Sequence, residues 1–306
     1  MAEADQSDPG VNGSTIIQLQ VGANNEATAT QIFLTESSTI VQRQIGSNLS
    51  ASVQQRGVTT NSTSVQYQFG TMSTVNSLQA NSENNSAFVL QSGIGLDVSI
   101  LQTNAGDNSA VVRQFGNNSS SGIFQDNNSF GNIAVLFQAG DNGGFNISQT
   151  TASDSYASGV QVGNAVRVEI EQKFVVGSSS FVIQRGNNNF VTVTQEILGN
   201  DSYILQSGTS LQATHDQVGE FNTAITEQRG GINVAATGQT SQFNFAETFQ
   251  LNGLLNQSVI NQTQGFNTAA VVQDGDSNQV GITQGTVSNI ATATQFGNSN
   301  TVQGLQ

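Results

Sequence analysis

Polar and apolar residues alternate with a period of two in short runs along nearly the whole chain, and each run closes on a glutamine. Counting back from that glutamine, positions −6, −4, −2 and 0 hold Asn85, Ala87, Val89 and Gln91 in one run and Leu96, Val98, Ile100 and Gln102 in the next. Successive side chains of a strand point to opposite faces, so these four share one face. A helix does not fit: β-branched residues are common, the alternation is clean, and glycine punctuates every pass.

The runs are of two kinds, which we term first and second strands. The earliest first strands read Ser14, Ile16, Gln18, Gln20, then Ser38, Ile40, Gln42, Gln44, then Ser62, Ser64, Gln66, Gln68, with an extra Gln at −2. Later ones carry small residues, as in Asn267, Ala269, Val271, Gln273. Second strands are bulkier, as in Val166, Val168, Ile170, Gln172 and Asn278, Val280, Ile282, Gln284. Small opposite large is how two facing sheets interdigitate to fill a thin core.

The period is fixed by the glutamines. The first strands close on Gln20, Gln44, Gln68, Gln91, Gln114, Gln138, Gln161, Gln184, Gln206, Gln228, Gln250, Gln273 and Gln295. The second strands close on Gln31, Gln55, Gln79, Gln102, Gln125, Gln149, Gln172, Gln195, Gln217, Gln239, Gln262, Gln284 and Gln306. The step from first to second is 11 residues throughout, except for 12 between Gln250 and Gln262. A glycine follows the first glutamine at +2: Gly22, Gly46, Gly70, Gly93, Gly116, Gly140, Gly163, Gly186, Gly208, Gly230, Gly275 and Gly297. Gly253 follows Gln250 at +3, so one residue has been inserted into that turn. The return step varies from 11 to 13 and settles at 11 from Gln195 onward. The chain therefore makes thirteen passes, each with a tight turn of fixed length and a looser one of variable length.

Charge tests the parity independently, because a buried unpaired charge is prohibitively costly. No Asp, Glu, Lys or Arg falls at −4, −2 or 0 in any of the twenty-six strands. Arg113, Glu171 and Glu227 sit at −1, and Glu169 and Glu247 at −3. The pattern thus predicts an all-β, two-sheet parallel β-solenoid with one strand-turn-strand per rung, about thirteen rungs, and amyloid-like cross-β stacking. Stacked rungs place each glutamine above its counterpart, where its amide donates to one neighbour and accepts from the other. Asn at −6, such as Asn108, Asn222 and Asn289, is expected to do the same, and the +2 glycine to supply positive φ in the tight arc.

Composition narrows the function. A formal charge of −14 argues against nucleic acid or an anionic membrane as partner and favours mutual repulsion of subunits. Cysteine is absent, which removes disulfides and thiolate metal sites, and the longest apolar run, Ile133 to Phe137, is too short for a membrane span. Residues 1–13, with Glu3, Asp5, Asp8, Pro9 and Gly10, read as a flexible acidic lead-in to a repeat region over 14–306. MAEADQSDPG lacks the basic start and apolar stretch of a signal peptide, so the chain reads as either not exported or processed with an added Met.

The arrangement Ser/Asn-x5-Gln-x-Gly-x-x-Asn-x-Ala-x3-Gln resembles the curlin repeat of curli major subunits, and QVGANNEATATQ at residues 20–31 fits its second half without a mismatch. The resemblance covers residues 14–306, with many more repeats than the familiar short curlins. It implies a secreted protein that polymerises into extracellular amyloid fibres of the biofilm matrix, displayed at the cell surface. It further implies export through an outer-membrane pore and seeding by a minor nucleator subunit.

Catalytic chemistry finds no convergent groups, and neither a cofactor nor an enzymatic activity is expected. His215, the single histidine, lies at −2 to Gln217 and so is expected to be a neutral, packed imidazole. Asp107, Asn108, Asp126, Asn127, Asn128, Asp274 and Asp276 crowd the turns without the calcium-binding nonapeptide, which points to turn propensity. Thr28/Thr30, Thr192/Thr194 and Thr292/Thr294 raise an ice-binding solenoid, and outward Phe88, Phe181, Phe245 and Phe249 raise a partner or lateral bundling. The alternative to a fibre subunit is thus a monomeric solenoid adhesin or an ice- or surface-binding protein. Both end rungs carry the same inward chemistry and the last closes on Gln306 without an irregular cap, so head-to-tail stacking of copies is expected.

Overall fold

The computed structural model describes residues 1–6 and 10–306, and Asp8 and Pro9 of the lead-in lie outside the described residues. The chain is all-β, with no helix among the described residues, and falls into two compact units, Met1–Ser155 and Tyr156–Gln306. Each turn of such a chain packs chiefly on its neighbours, so compactness divides it by position and not by a change of architecture.

In unit 1 the second strands form one parallel sheet in the order β1 (Ala2–Asp5), β3 (Glu26–Ile32), β6 (Ser50–Thr60), β8 (Thr74–Glu83), β10 (Asp97–Gly106), β12 (Ser120–Asp126) and β15 (Gly144–Thr150). The first strands form the other: β2 (Thr15–Ala23), β5 (Thr39–Ser47), β7 (Thr63–Thr71), β9 (Ser86–Ile94), β11 (Ser109–Asn117) and β14 (Ile133–Ala139). Two short strands, β4 (Thr35–Glu36) on β6 and β13 (Ser129–Phe130) on β10, take up residues of the wider return turns. In unit 2 the first strands are β16 (Tyr156–Val162), β18 (Ser179–Asn187), β20 (Asp201–Thr209), β22 (Thr223–Gly231), β24 (Phe245–Leu254), β26 (Thr268–Asp274) and β28 (Ile290–Phe296). Its second strands are β17 (Arg167–Val176), β19 (Phe190–Leu198), β21 (Gln212–Val218), β23 (Val234–Gln239), β25 (Gln257–Gln262), β27 (Gln279–Gln284) and β29 (Thr301–Leu305). Each unit is a two-sheet parallel β-solenoid, with six turns in the first and seven in the second, thirteen in all.

Parity is as the charges require. Among the described residues no Asp, Glu, Lys or Arg is buried, and His215 is the one ionisable side chain inside. The interior is a thin layer of small and branched side chains, such as Ala29, Ile40 and Val53 in unit 1 and Ala246, Ile260, Val271 and Ile282 in unit 2.

The tight-turn glycines serve two needs. Gly22 has φ 114° and Gly163 has φ 137°, and a Cβ at either would overlap the carbonyl oxygen of the next glycine in the stack, Gly46 or Gly186. The inserted residue separates these needs: Asn252 takes the left-handed conformation with φ 50°, while Gly253 keeps the close approach to Gly275. A register shift between Gln228 and Gly230 absorbs the extra residue.

The lead-in differs from expectation. Ala2–Asp5 is not a loose segment but pairs in parallel with β3, placing Ala2, Glu3, Ala4 and Asp5 against Ala27, Thr28, Ala29 and Thr30. The reason is in its spelling, A-E-A-D-Q beside A-T-A-T-Q: Ala2, Ala4 and Gln6 fall on the inward parity and the two acids on the outward one.

Candidate functional site

Two glutamine ladders run through each unit, and they are the feature that every turn helps to build. On the first-strand side Gln20, Gln44, Gln68, Gln91, Gln114 and Gln138 are linked successively by Nε2 to Oε1 bonds of 2.7, 2.9, 3.1, 3.1 and 2.9 Å. On the second-strand side Gln31 donates to Gln55 at 2.7 Å, Gln55 to Gln79 at 2.8 Å and Gln125 to Gln149 at 2.9 Å. Unit 2 repeats both, for instance Gln161 to Gln184 at 3.2 Å, Gln172 to Gln195 at 2.9 Å and Gln284 to Gln306 at 3.3 Å. All ladder glutamines named from the sequence are buried except Gln20 and Gln306.

Each amide does more than pass a bond along. Gln172 Nε2 also reaches Tyr156 O at 3.2 Å and Ser178 O at 3.3 Å, and Gln195 Nε2 reaches Ser179 O at 2.9 Å and Asn200 O at 2.8 Å. The side chain therefore ties its strand to the facing sheet and to the return turn, and both amide hydrogens of Gln172 and Gln195 find acceptors. Asn300 Nδ2 donates to Asn278 Oδ1 at 3.1 Å, as expected at −6, but the other asparagines there act differently. Asn85 Oδ1 accepts the backbone N–H of Asn108 at 2.9 Å, and Asn222 Oδ1 that of Asn244 at 3.0 Å. Their Nδ2 groups go to turn carbonyls, as from Asn108 to Ser129 at 2.9 Å. The shorter side chain reaches the backbone above it, where glutamine reaches its own kind.

The ladders have a direction. Within unit 1 and within unit 2 every described glutamine-to-glutamine bond is donated toward the C-terminal neighbour. At the start of the first-strand ladder, no donor among the described residues reaches Oε1 of Gln18 or Gln20. At the other end Gln295 Nε2 donates to Gln279 O at 3.0 Å and Gln306 Nε2 to Ile290 O at 3.4 Å, leaving one hydrogen of each two-hydrogen amide directed outward. The end strands β2, β28 and β29 each have a single strand partner, and Ile290, Phe296 and Leu305 are exposed.

His215 lies fully inside, with Nδ1 2.8 Å from Ser202 Oγ and Nε2 2.8 Å from Thr226 Oγ1. Burial pushes its pKa down to about 3, so the ring is neutral. Outside, Asp216 is raised by partial burial and by the nearby Glu196. The turn carboxylates bond locally: Asp107 accepts from Asn84 at 2.9 Å, and Asp276 from the N–H of Leu254 at 2.8 Å. Among the described residues no three His, Cys, Asp or Glu side chains group as metal ligands. The threonine pairs do not join into a ladder, since Thr192 stacks between Glu169 and Thr214.

Two features escaped the sequence reading. Gln6 is a ladder residue: its Nε2 is bonded to Gln31 Oε1 and lies 3.2 Å from Ser14 O. Its signal was the A-x-A-x-Q spelling without a preceding first strand. The other is aromatic. Phe88, Phe181, Phe245 and Phe249 are half-buried, but Phe221, Phe243 and Phe266 in the return turns are exposed and stacked, with centroids 5.2 and 5.0 Å apart. They hold positive φ at a position filled elsewhere by Asn, Asp, Gly or Ser, and their spacing of 22 and 23 residues was there to be read.

No family model matches the chain, and no curated protein matches it.

Proposed function

We propose that the chain is the structural subunit of a curli-like extracellular fibre, whose copies stack end to end. The observation that carries this reading is the one-way donation along the glutamine ladders, which leaves open acceptors on Gln18 and Gln20 at the start of unit 1 and spare donors on Gln295 and Gln306 at the last strands of unit 2. An open edge recruits another strand, and a head-to-tail contact that does not close on itself yields a filament. Charge is compatible with such stacking: β28 and β29 hold no charged side chain. In the same proposal the fibre belongs to a secreted biofilm matrix, exported through an outer-membrane pore and seeded by a minor subunit.

Incubated at micromolar concentration, the protein should form filaments with an axial reflection at ~4.8 Å. Val302→Pro with Thr301→Lys, confined to β29, should keep its far-ultraviolet circular dichroism and stop elongating. Filaments at the unmodified rate would mean that lateral sheet contacts drive assembly; no filaments from the unmodified chain over days would favour a monomeric surface-binding solenoid.

A further inference from the structure

At the N-terminal end of unit 1 the two sheets do not finish level. The second-strand sheet extends one strand further, because β1 lies on β3, whereas β2 pairs only with β5. β1 reproduces the bonds that a preceding second strand would make. Gln6 contacts Gln31 Oε1 and Ser14 O, as Gln31 contacts Gln55 Oε1 and Ser38 O. Met1 O accepts from Gln20 Nε2 at 3.0 Å, as Glu26 O accepts from Gln44 at 2.7 Å. Glu3 O accepts from Gln18 at 2.9 Å, as Thr28 O accepts from Gln42 at 3.1 Å. Among the described residues a strand covers β3 on this side and none covers β2. Ala2 and Ala4 consequently stay exposed, while their counterparts Ala27 and Ala29 are buried.

The same place suits β29. Aligned on the ladder, Val302 corresponds to Ala2, Gly304 to Ala4 and Gln306 to Gln6. Two strands cannot occupy one edge. If β1 stayed on β3 when a second copy arrived, the second-strand sheets would join, but β28 and β2 would stand one strand spacing too far apart, ~4.8 Å, to bond. Only one of the two sheets could run on.

Resting on the fibre reading, we propose that β1 is a displaceable stand-in for β29 of a second copy. The incoming copy sets its β28 on β2 and its β29 on β3, and residues 1–6 leave. On β3 the backbone bonds of β29 replace those of β1 one for one and hardly bias the exchange, while β28 on β2 adds ladder bonds that β1 does not make. Burial favours the incomer, because a whole turn closes over half-exposed Ile16, Gln18 and Gln20, which β1 leaves uncovered. Charge favours it too: Glu3 and Asp5 stand on β1, and β28 and β29 carry no charge. Until it leaves, an acidic edge strand discourages further pairing on that side.

The test locks the strand. Glu3 and Thr28 are register partners on adjacent strands, about 4.8 Å apart at Cα and within disulfide range, and the chain has no other cysteine to interfere. Glu3→Cys with Thr28→Cys should elongate at least ~10-fold more slowly oxidised than reduced. Conversely, Glu3→Pro with Asp5→Pro removes two N–H donors that face β3 and should raise the rate about tenfold. Equal rates for the oxidised and reduced protein overturn the exchange. A readout that needs no fibre is capture of a labelled peptide of residues 286–306, expected for the reduced protein and not for the oxidised; equal capture, including none in either form, also overturns it. Redox-dependent capture without filaments from any form would leave the exchange standing and remove the fibre reading.

Discussion

The interior of the first three turns in unit 1 is filled from the opposite side to that of the turns around Ile170 in unit 2. In the first, the long side chains Gln18, Gln42 and Gln66 come from first strands and meet Ala27, Ala29 and Ala51 on second strands. In the second, Val168, Ile170, Val191 and Val193 come from second strands, and short residues such as Ala157, Ser180 and Ser202 face them. Away from the half-exposed Gln18 both are buried, with Gln42 and Ile170 each 1% exposed. What a thin core fixes, then, is the summed volume across the gap and not which sheet supplies it. An amide is an acceptable filler where alanine lets it reach the facing backbone, as Gln42 Nε2 does at Thr28 O, 3.1 Å away, while also donating to Gln66 at 3.1 Å. His215 is the unit 2 counterpart, a polar ring accepted inside because two hydroxyls meet its nitrogens.

That last equivalence breaks most easily with acid. The native ring stays neutral down to about pH 3, whereas in the unfolded chain it takes up a proton near its ordinary 6.5. Its contribution is therefore complete above pH 6.5 and lost as pH falls toward 3. Between pH 6.5 and 3.5 the wild type should lose about 4 kcal/mol of unfolding free energy relative to His215→Gln, which does not titrate. Parallel pH profiles for the two proteins would contradict a buried neutral ring. The glutamine interior, having nothing to titrate, has no such term.

A smaller effect separates single from collective changes. Gln172→Leu should cost about 1–3 kcal/mol in urea unfolding, because Gln195 Oε1 loses its donor and the carbonyls of Tyr156 and Ser178 each lose one bond, Ser178 O keeping the N–H of Tyr156. Gln42→Leu alone should cost about as much, leaving the amides of Gln18 and Gln66 without their shared partner. Replacing Gln18, Gln42 and Gln66 by Leu together should cost clearly less than the sum of the three single changes. Strict additivity would mean that these amides act independently and that the ladder is only an alignment. The smallest change is outward: Glu169→Gln should stay within about 0.5 kcal/mol, since its contact with Arg167 is 3.8 Å long and exposed.

The repeat, the inward parity and the ladder glutamines were legible because each is a spacing, and a spacing survives any local variation of side chain. Gly253 was legible even where the spacing broke. β1 was not, since a repeat defined by two glutamines and a glycine overlooks a half-turn that has only Ala2, Ala4 and Gln6. The asparagines were placed correctly and, Asn300 apart, bonded differently, because sequence gives their position but not that Oδ1 falls short of the next amide and meets a backbone N–H instead. The return turns were read as loose, yet β4 and β13 order part of their length into further short ladders, which depends on neighbouring turns having matching lengths.

The one-way donation along the glutamine ladders has an electrical consequence. Every amide carries a dipole comparable to that of a peptide group, about 3.5 D, and peptide dipoles that align sum in helices to an appreciable charge at each end. Here two such columns point the same way within each unit, with N–H groups toward the C-terminal side and oxygens toward the N-terminal side. Each unit is thus polarised along its own stack, unit 1 negative where Gln18 and Gln20 lie and unit 2 positive where Gln295 and Gln306 lie. Opposite faces attract and like faces repel, so within each unit the field of the side chains alone distinguishes the N-terminal face from the C-terminal one before any strand has paired.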